Sequence, residues 1–186
     1  MNSTKDRFIE TTCELLESQG YHATGLNQIV KESGAPKGSL YYHFPDGKEE
    51  LAAEAVQRAG DLTSDLIRLN FQEDISLAEA VRQFILEVAK RVEESEYQSG
   101  GPLTATAMET ATTNERLNLT CRESFAKIQA AFSDKIEKSG INPERAAELA
   151  AFITAALEGG IILSRTMHTG DPLRQVSQEL YDYLKT

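Results

Sequence analysis

Residues 20–51 read GYHATGLNQIVKESGAPKGSLYYHFPDGKEEL, and the pattern of this stretch decides the fold. Two short runs at helical period, 26–33 and 37–44, flank the tight turn Gly34-Ala35-Pro36-Lys37-Gly38. Ile29 and Val30 on the first run, and Leu40 and Phe44 at i and i+4 on the second, are expected to face inward. That leaves Lys37, Ser39, Tyr42 and His43 projecting outward. Gly34 permits the turn, and Gly38 lets the second helix start close against another surface. Two helices joined by such a turn form a helix-turn-helix. A second helix presented this way fits the major groove of DNA, where polar side chains read bases and grip phosphates.

The flanking sequence is helical throughout. The first helix is expected over 3–19, with Phe8, Ile9, Thr12, Leu15 and Leu16 on one face and Asp6, Glu10, Glu14 and Glu17 roughly opposite, Gly20 being its stop. Further helices are expected over 48–71, 77–96, 103–111, 115–139, 143–168 and 172–185. In the last two, proline occupies a first helical position behind the N-caps Asn142 and Asp171. Alternating β-branched runs are missing. The expected fold is therefore all-α: a three-helix DNA-binding unit over 1–48, then a helical bundle over 49–186.

Residues 20–51 resemble the DNA-binding domain of TetR-family transcriptional repressors. The resemblance is carried by Gly20-Tyr21, Thr24, Ile29, Gly34, Gly38-Ser39-Leu40-Tyr41-Tyr42-His43-Phe44 and Lys48-Glu49-Glu50-Leu51. The wording TGLNQIVKESGAPKGSLY, with FP and GKEEL following, is similar to the LmrA/YxaF-type repressors of Bacillus. Members of that subgroup control drug-resistance and flavonoid-degradation genes and respond to flavonoids. The resemblance implies base or phosphate contact by Lys37, Ser39, Tyr42 and His43, with Gly38 at the same surface. It implies that Thr24, Tyr41 and Lys48 grip backbone phosphates, Lys48 from a helix N-terminus. Tyr41 has core packing as its alternative, and His43 a plain surface position. Gly25 stands where most members carry Ser or Thr, Val30 replaces Ala, Pro36 replaces a capping Ser, and Asp46-Gly47 lengthens the link to Lys48 by one residue.

Beyond residue 51 the residues are read directly. Phe71, Phe84, Met108, Phe125, Ile128, Phe132 and Phe152 either pack a core or line a pocket for a small aromatic or planar effector. Threonines 104, 106, 110, 112 and 113 could supply its polar groups. The run 143–168 is rich in Ala and carries Gly159-Gly160, which implies close helix approach. The family places a homodimer interface on the last two helices, here Phe152, Ala156, Gly160, Leu163, Val176 and Leu180; tight packing inside one subunit is the alternative. Two recognition helices about one DNA turn (~34 Å) apart would read a palindrome in double-stranded operator DNA.

Other classes find less support. His22, His43 and His168 have no metal-ligand spacing, Gly100-Gly101 lacks the Lys of a phosphate loop, and Cys121 has no nearby His. No cofactor, metal or catalytic activity is expected, which disfavours an all-helical enzyme. A helical small-molecule-binding protein with a degenerate DNA-binding domain is the remaining competitor. Two distant cysteines and no apolar leader point to a reduced, cytoplasmic protein, and runs such as 150–157 fall short of the ~20 residues of a membrane span. The net charge of −10 opposes phosphate binding. However, residues 1–48 carry five Lys/Arg against six acids, so most of the excess lies from Glu49 onward. Residues 20–48 alone carry three Lys against two acids. DNA affinity is thus expected to rest on few charge contacts and on dimerisation.

Overall fold

The computed structural model describes residues 3–70 and 75–185, and among these every regular element is a helix. In chain order they are α1 (Thr4–Ala23), α2 (Leu26–Ser33), α3 (Lys37–His43), α4 (Lys48–Asn70), α5 (Leu77–Glu94), α6 (Pro102–Thr110), α7 (Glu115–Lys138), α8 (Pro143–Met167) and α9 (Asp171–Lys185). The all-α fold class stands.

Local chemistry sets most ends. Ser3 and Asp6 form a reciprocal capping box at the start of α1: the Ser3 Oγ accepts from the Asp6 amide at 3.1 Å, and Asp6 Oδ2 accepts from the Ser3 amide at 3.1 Å. Asn142 caps α8 through the Arg145 amide at 3.0 Å, as expected. Asp171 is instead the first residue of α9, and its amide donates to Thr169 Oγ1. Gly20 does not end α1. It takes φ 80° and ψ 176°, bends the helix, and the chain regains helical geometry as far as Ala23.

The described residues pack as two compact units, Met1–Asp61 with Gly101–Phe125 and Leu62–Gly100 with Ala126–Thr186. This division differs from a boundary at 48/49, because α6 and the start of α7 pack with the N-terminal helices. In the first unit Phe8, Leu16, Ile29, Leu40, Phe44, Leu51 and Leu117 are fully or almost fully buried. The Phe8 and Phe44 rings meet edge to face at 6.2 Å, a geometry that favours the ring quadrupoles. Cys13 Sγ donates to the Ala55 carbonyl at 3.2 Å and ties α1 to α4.

In the second unit α5 packs on α8 and α9, and α8 on α9. Arg174 and the Gly170 amide both donate to the Glu93 carboxylate, at 2.6 and 3.1 Å, which fixes the start of α9 against α5. Gly160 is where α9 comes close: a Cβ there would stand 2.8 Å from Leu173 Cδ2 and 3.4 Å from Val176 Cγ2. Gly160, expected at a subunit interface, therefore packs α8 against α9 within the chain, and Leu180, expected there too, is buried in the same unit. The alternative explanation for the small residues holds at Gly160.

By length and composition α8 could cross a membrane, with a mean hydropathy of 1.7 over its most apolar window. Its apolar residues divide between two faces. Leu149, Ile153, Leu157 and Ile161 are buried, while Phe152, Ile162, Leu163 and Met167 are between 43% and 62% exposed. Gly159 borders open space.

The two adjacent glycines should respond oppositely. Gly160→Ala overpacks the α8–α9 contact and should lower stability by about 1–3 kcal/mol in urea unfolding. Gly159→Ala should be neutral or should raise the stability of the isolated chain by up to about 1 kcal/mol. Equal effects at both positions would contradict this packing.

Candidate nucleic-acid interface

The recognition element is built from the turn outward. Gly34 ends α2 in the left-handed region, φ 59°. The Ser33 hydroxyl donates to the Val30 carbonyl and accepts from the Ala35 amide, bracing the turn from within. Arg7 braces it from outside: its Nη2 donates to the Ser33 carbonyl at 2.5 Å. A guanidinium at a helix C-terminus also complements the helix dipole. A Cβ at Gly34 would stand 2.8 Å from that nitrogen, so glycine is needed for space as well as for conformation.

Ile29, Leu40 and Phe44 are buried, as their spacing required, whereas Val30 is only half-buried. Burying Leu40 and Phe44 turns the rest of α3 outward. Lys37 and Gly38 are exposed, Ser39 and His43 half-buried, and Tyr42 81% exposed. Tyr41 is 59% exposed, so its side chain is not a core residue. The Tyr42 and His43 rings pack edge to face at 5.0 Å. The Ser39 hydroxyl donates to the Pro36 carbonyl at 2.7 Å and keeps its lone pairs for an incoming donor. Among the described residues, no atom beyond its chain neighbours and its own helix backbone lies within 4 Å of a Cβ built at Gly38. Six of the expected residues thus share one seven-residue helix.

Two expected contacts sit differently. Thr24 is buried, and its hydroxyl donates to the Gly20 carbonyl at 2.7 Å, closing the bend that leads into α2. Its one hydroxyl proton is thus spent within the fold. With Gly25 as the N-cap of α2 and no side-chain bond at that cap, α2 begins without the usual hydroxyl. Lys48 is half-buried, its Nζ 4.2 Å from the Tyr21 ring centroid. Burial lowers the Lys48 ammonium below the ordinary lysine range, against the opposing pull of the Glu109 carboxylate.

The expected pocket residues divide between the two units. Phe84 and Phe132 meet edge to face at 5.7 Å in the second unit, with Ile128 also buried there. Met108 and Phe125 belong to the first unit, and Met108 is 74% exposed, so it lines no enclosed space. Phe152 is 52% exposed and packs on Tyr183 rather than inside the bundle. Phe71 lies outside the described residues. Of the threonines, Thr106 and Thr110 are buried, and Thr110 donates to the Thr106 carbonyl. Burial pushes the Cys13 thiol up to about 12 and that of Cys121 to about 11, which keeps both protonated near neutral pH.

Sequence reading missed Arg7 and Glu109. Arg7 sits beside the apolar face of an otherwise acidic first helix, a signal that could have marked it. Glu109 reaches the His22 amide across 87 positions, and no local pattern announces such a contact.

Replacing Arg7 by Met should cost about 1–2 kcal/mol in denaturant unfolding, somewhat below a buried charge-assisted hydrogen bond because the site is half-exposed. Gly25→Ser should gain several tenths of a kcal/mol by capping α2. A Gly25→Ser protein less stable than the parent would contradict the open cap.

Comparison with known proteins agrees with this geometry. The family described as "Bacterial regulatory proteins, tetR family" matches residues 8–55, and "Transcriptional regulator LmrA/YxaF-like, C-terminal domain" matches 78–179. The regulator YxaF of Bacillus subtilis is 41% identical over 177 residues, covering 95% of this chain and 93% of its own length. The Bacillus subtilis regulator LmrA is 37% identical over 182 residues, covering 98% and 97%. A TetR transcriptional regulator from Legionella pneumophila shares the fold at TM-score 0.87 and 20% identity, over 99% of this chain and 98% of that one. A helix-turn-helix braced on its first helix, with matches along both parts of the chain, places this protein in the TetR family of transcriptional regulators, in the group with an LmrA/YxaF-like C-terminal domain.

Proposed function

We propose that the protein is a one-component repressor, a homodimer that binds a palindromic operator and leaves it when a small planar aromatic molecule binds the second unit. The observation that carries the DNA part is the outward face of α3. Glycine in a helix costs about 1 kcal/mol relative to alanine, and among the described residues no neighbouring element crowds Gly38. Its value is then to let the helix approach an outside surface closely. Lys37 and Tyr42 flank it with donors that base edges and phosphates accept, and Ser39 offers lone pairs to a base donor. Lys48 contributes to phosphate contact from the start of α4, swinging from the Tyr21 ring.

The homodimer reading is supported by the exposed seam of α8, where Phe152, Ala155, Gly159, Ile162, Leu163 and Met167 recur at helical spacing. Ala156 and Val176, both half-buried, border it. For the effector, Phe84, Ile128 and Phe132 offer flat apolar contact. The LmrA/YxaF-like domain favours a flavonoid within the aromatic class. Ligand and operator antagonise each other through the differential affinity of two geometries, so the effect is reciprocal. A protein of this kind works on DNA in the cytoplasm.

Four measurements test the reading. In gel shifts against a duplex selected from a random pool, Gly38→Ala should raise protein stability yet weaken operator binding. Lys48→Ala should reduce the slope of log affinity against log salt by about 1, and an unchanged slope removes Lys48 from the contacts. Leu163→Glu should give monomers in sedimentation and weaken operator binding by about 10²-fold or more, because the second half-site is lost. A dimeric Leu163→Glu protein would move the interface elsewhere. Saturating flavonol should release the duplex, and unchanged operator affinity would exclude this effector class.

A further inference from the structure

Helix α6 belongs to the segment matched to the C-terminal domain, yet both of its ends are tied to α1 of the DNA-binding segment. At its start, the Gly101 amide donates to Glu17 Oε1 at 2.6 Å. At its last turn, Glu109 Oε2 accepts from the His22 amide at 2.8 Å. The two bonds are reciprocal, each a carboxylate from one helix on a backbone amide next to the other helix.

The Glu109 end has a built seat. A Cβ at Gly20 would collide with the Glu109 carboxylate, so that carboxylate occupies the space glycine leaves. Gly20 also has φ 80°, where any side chain is strained. The His22 ring lies 3.4 Å from the Glu109 carbonyl, and Thr113 donates to the same oxygen at 3.1 Å. Only Tyr21, His22, Ala23, Thr24 and Gly25 separate this bend from α2, and Thr24 closes it through the Gly20 carbonyl. Whatever holds the bend fixes the direction in which α2, and with it α3, leaves α1.

We propose that Glu109 is a positioning residue for operator recognition: seated on the His22 amide in the space left by Gly20, it sets the bend from which α2 and α3 depart. It thereby carries the state of α6 to the recognition helix. This rests on the operator-binding reading and adds to it the residue that sets how the helix-turn-helix leaves α1.

The full-length protein, Glu109→Ala and Glu109→Gln are compared on a duplex selected by the wild type and on a scrambled duplex of equal length. Amide exchange at His22 is read in parallel. The affinity ratio of the two duplexes is the decisive readout, because freeing Lys48 from a nearby carboxylate raises both affinities together and leaves the ratio unchanged. Glu109→Ala should speed His22 exchange and lower the ratio, each by about tenfold, as loss of a hydrogen bond to a charged group implies. Glu109→Gln keeps an acceptor oxygen and should recover most of the ratio. Faster His22 exchange with an unchanged ratio overturns the proposal, and so does a Glu109→Gln ratio as low as that of Glu109→Ala. A wild type that selects no duplex overturns the operator-binding reading, and this inference with it.

Discussion

Helix α3 has seven residues, too few to hold a helix in water by its own hydrogen bonds. It is helical because Leu40 and Phe44 are buried against α1, where Phe44 meets the Phe8 ring edge to face. That one contact fixes the axis and the rotation of α3 together. With Leu40 and Phe44 inside, Tyr42 lies on the opposite face, and Lys37 is exposed at the first position of the helix. The turn before α3 is then pinned twice, by Ser33 from within and by Arg7 from α1. A short helix can serve as a reading head only when its neighbours fix it this firmly, since base contacts tolerate little displacement.

The same logic explains why α1 attracts contacts from so far along the chain. It receives Arg7's bond to the turn, the Cys13 bond to α4, and both carboxylate ties to α6. Helix α1 is thus the frame on which the helix-turn-helix and the α6 segment are both mounted. Charge follows a similar division. Lys37 stands exposed on α3, whereas Lys48 is paired with an aromatic ring. On the proposed repressor reading, affinity for DNA leans on shape and on two half-sites more than on a broad basic surface.

Much of this was legible in the sequence. Residues 26–44 announce themselves because every constraint on them is local: a glycine turn, an i, i+4 apolar pair, and polar residues in the gaps. Helix positions followed from period and punctuation for the same reason. What escaped the sequence was pairing over distance. Glu109 looks like any solvent-facing acid until Gly20 is placed beneath it. Gly160 looks like an interface residue until α9 is laid on α8. Met108 and Phe152 look like core residues by type, yet both are exposed. Thr24 matched a family pattern but spends its hydroxyl on the Gly20 carbonyl, and Gly25 beside it leaves α2 uncapped. Composition and period assign a residue to a face, and only the neighbouring element decides what that face meets.

The central claim is that two copies of α3, held by the Phe8–Phe44 contact and joined through α8, enter successive major grooves of one operator. Hydroxyl-radical footprinting of the full-length protein on a selected duplex measures this directly. The account predicts two protected patches on one side of the duplex, their centres about one helical turn (~34 Å) apart. A single protected patch, or uniform protection along the duplex, would contradict it.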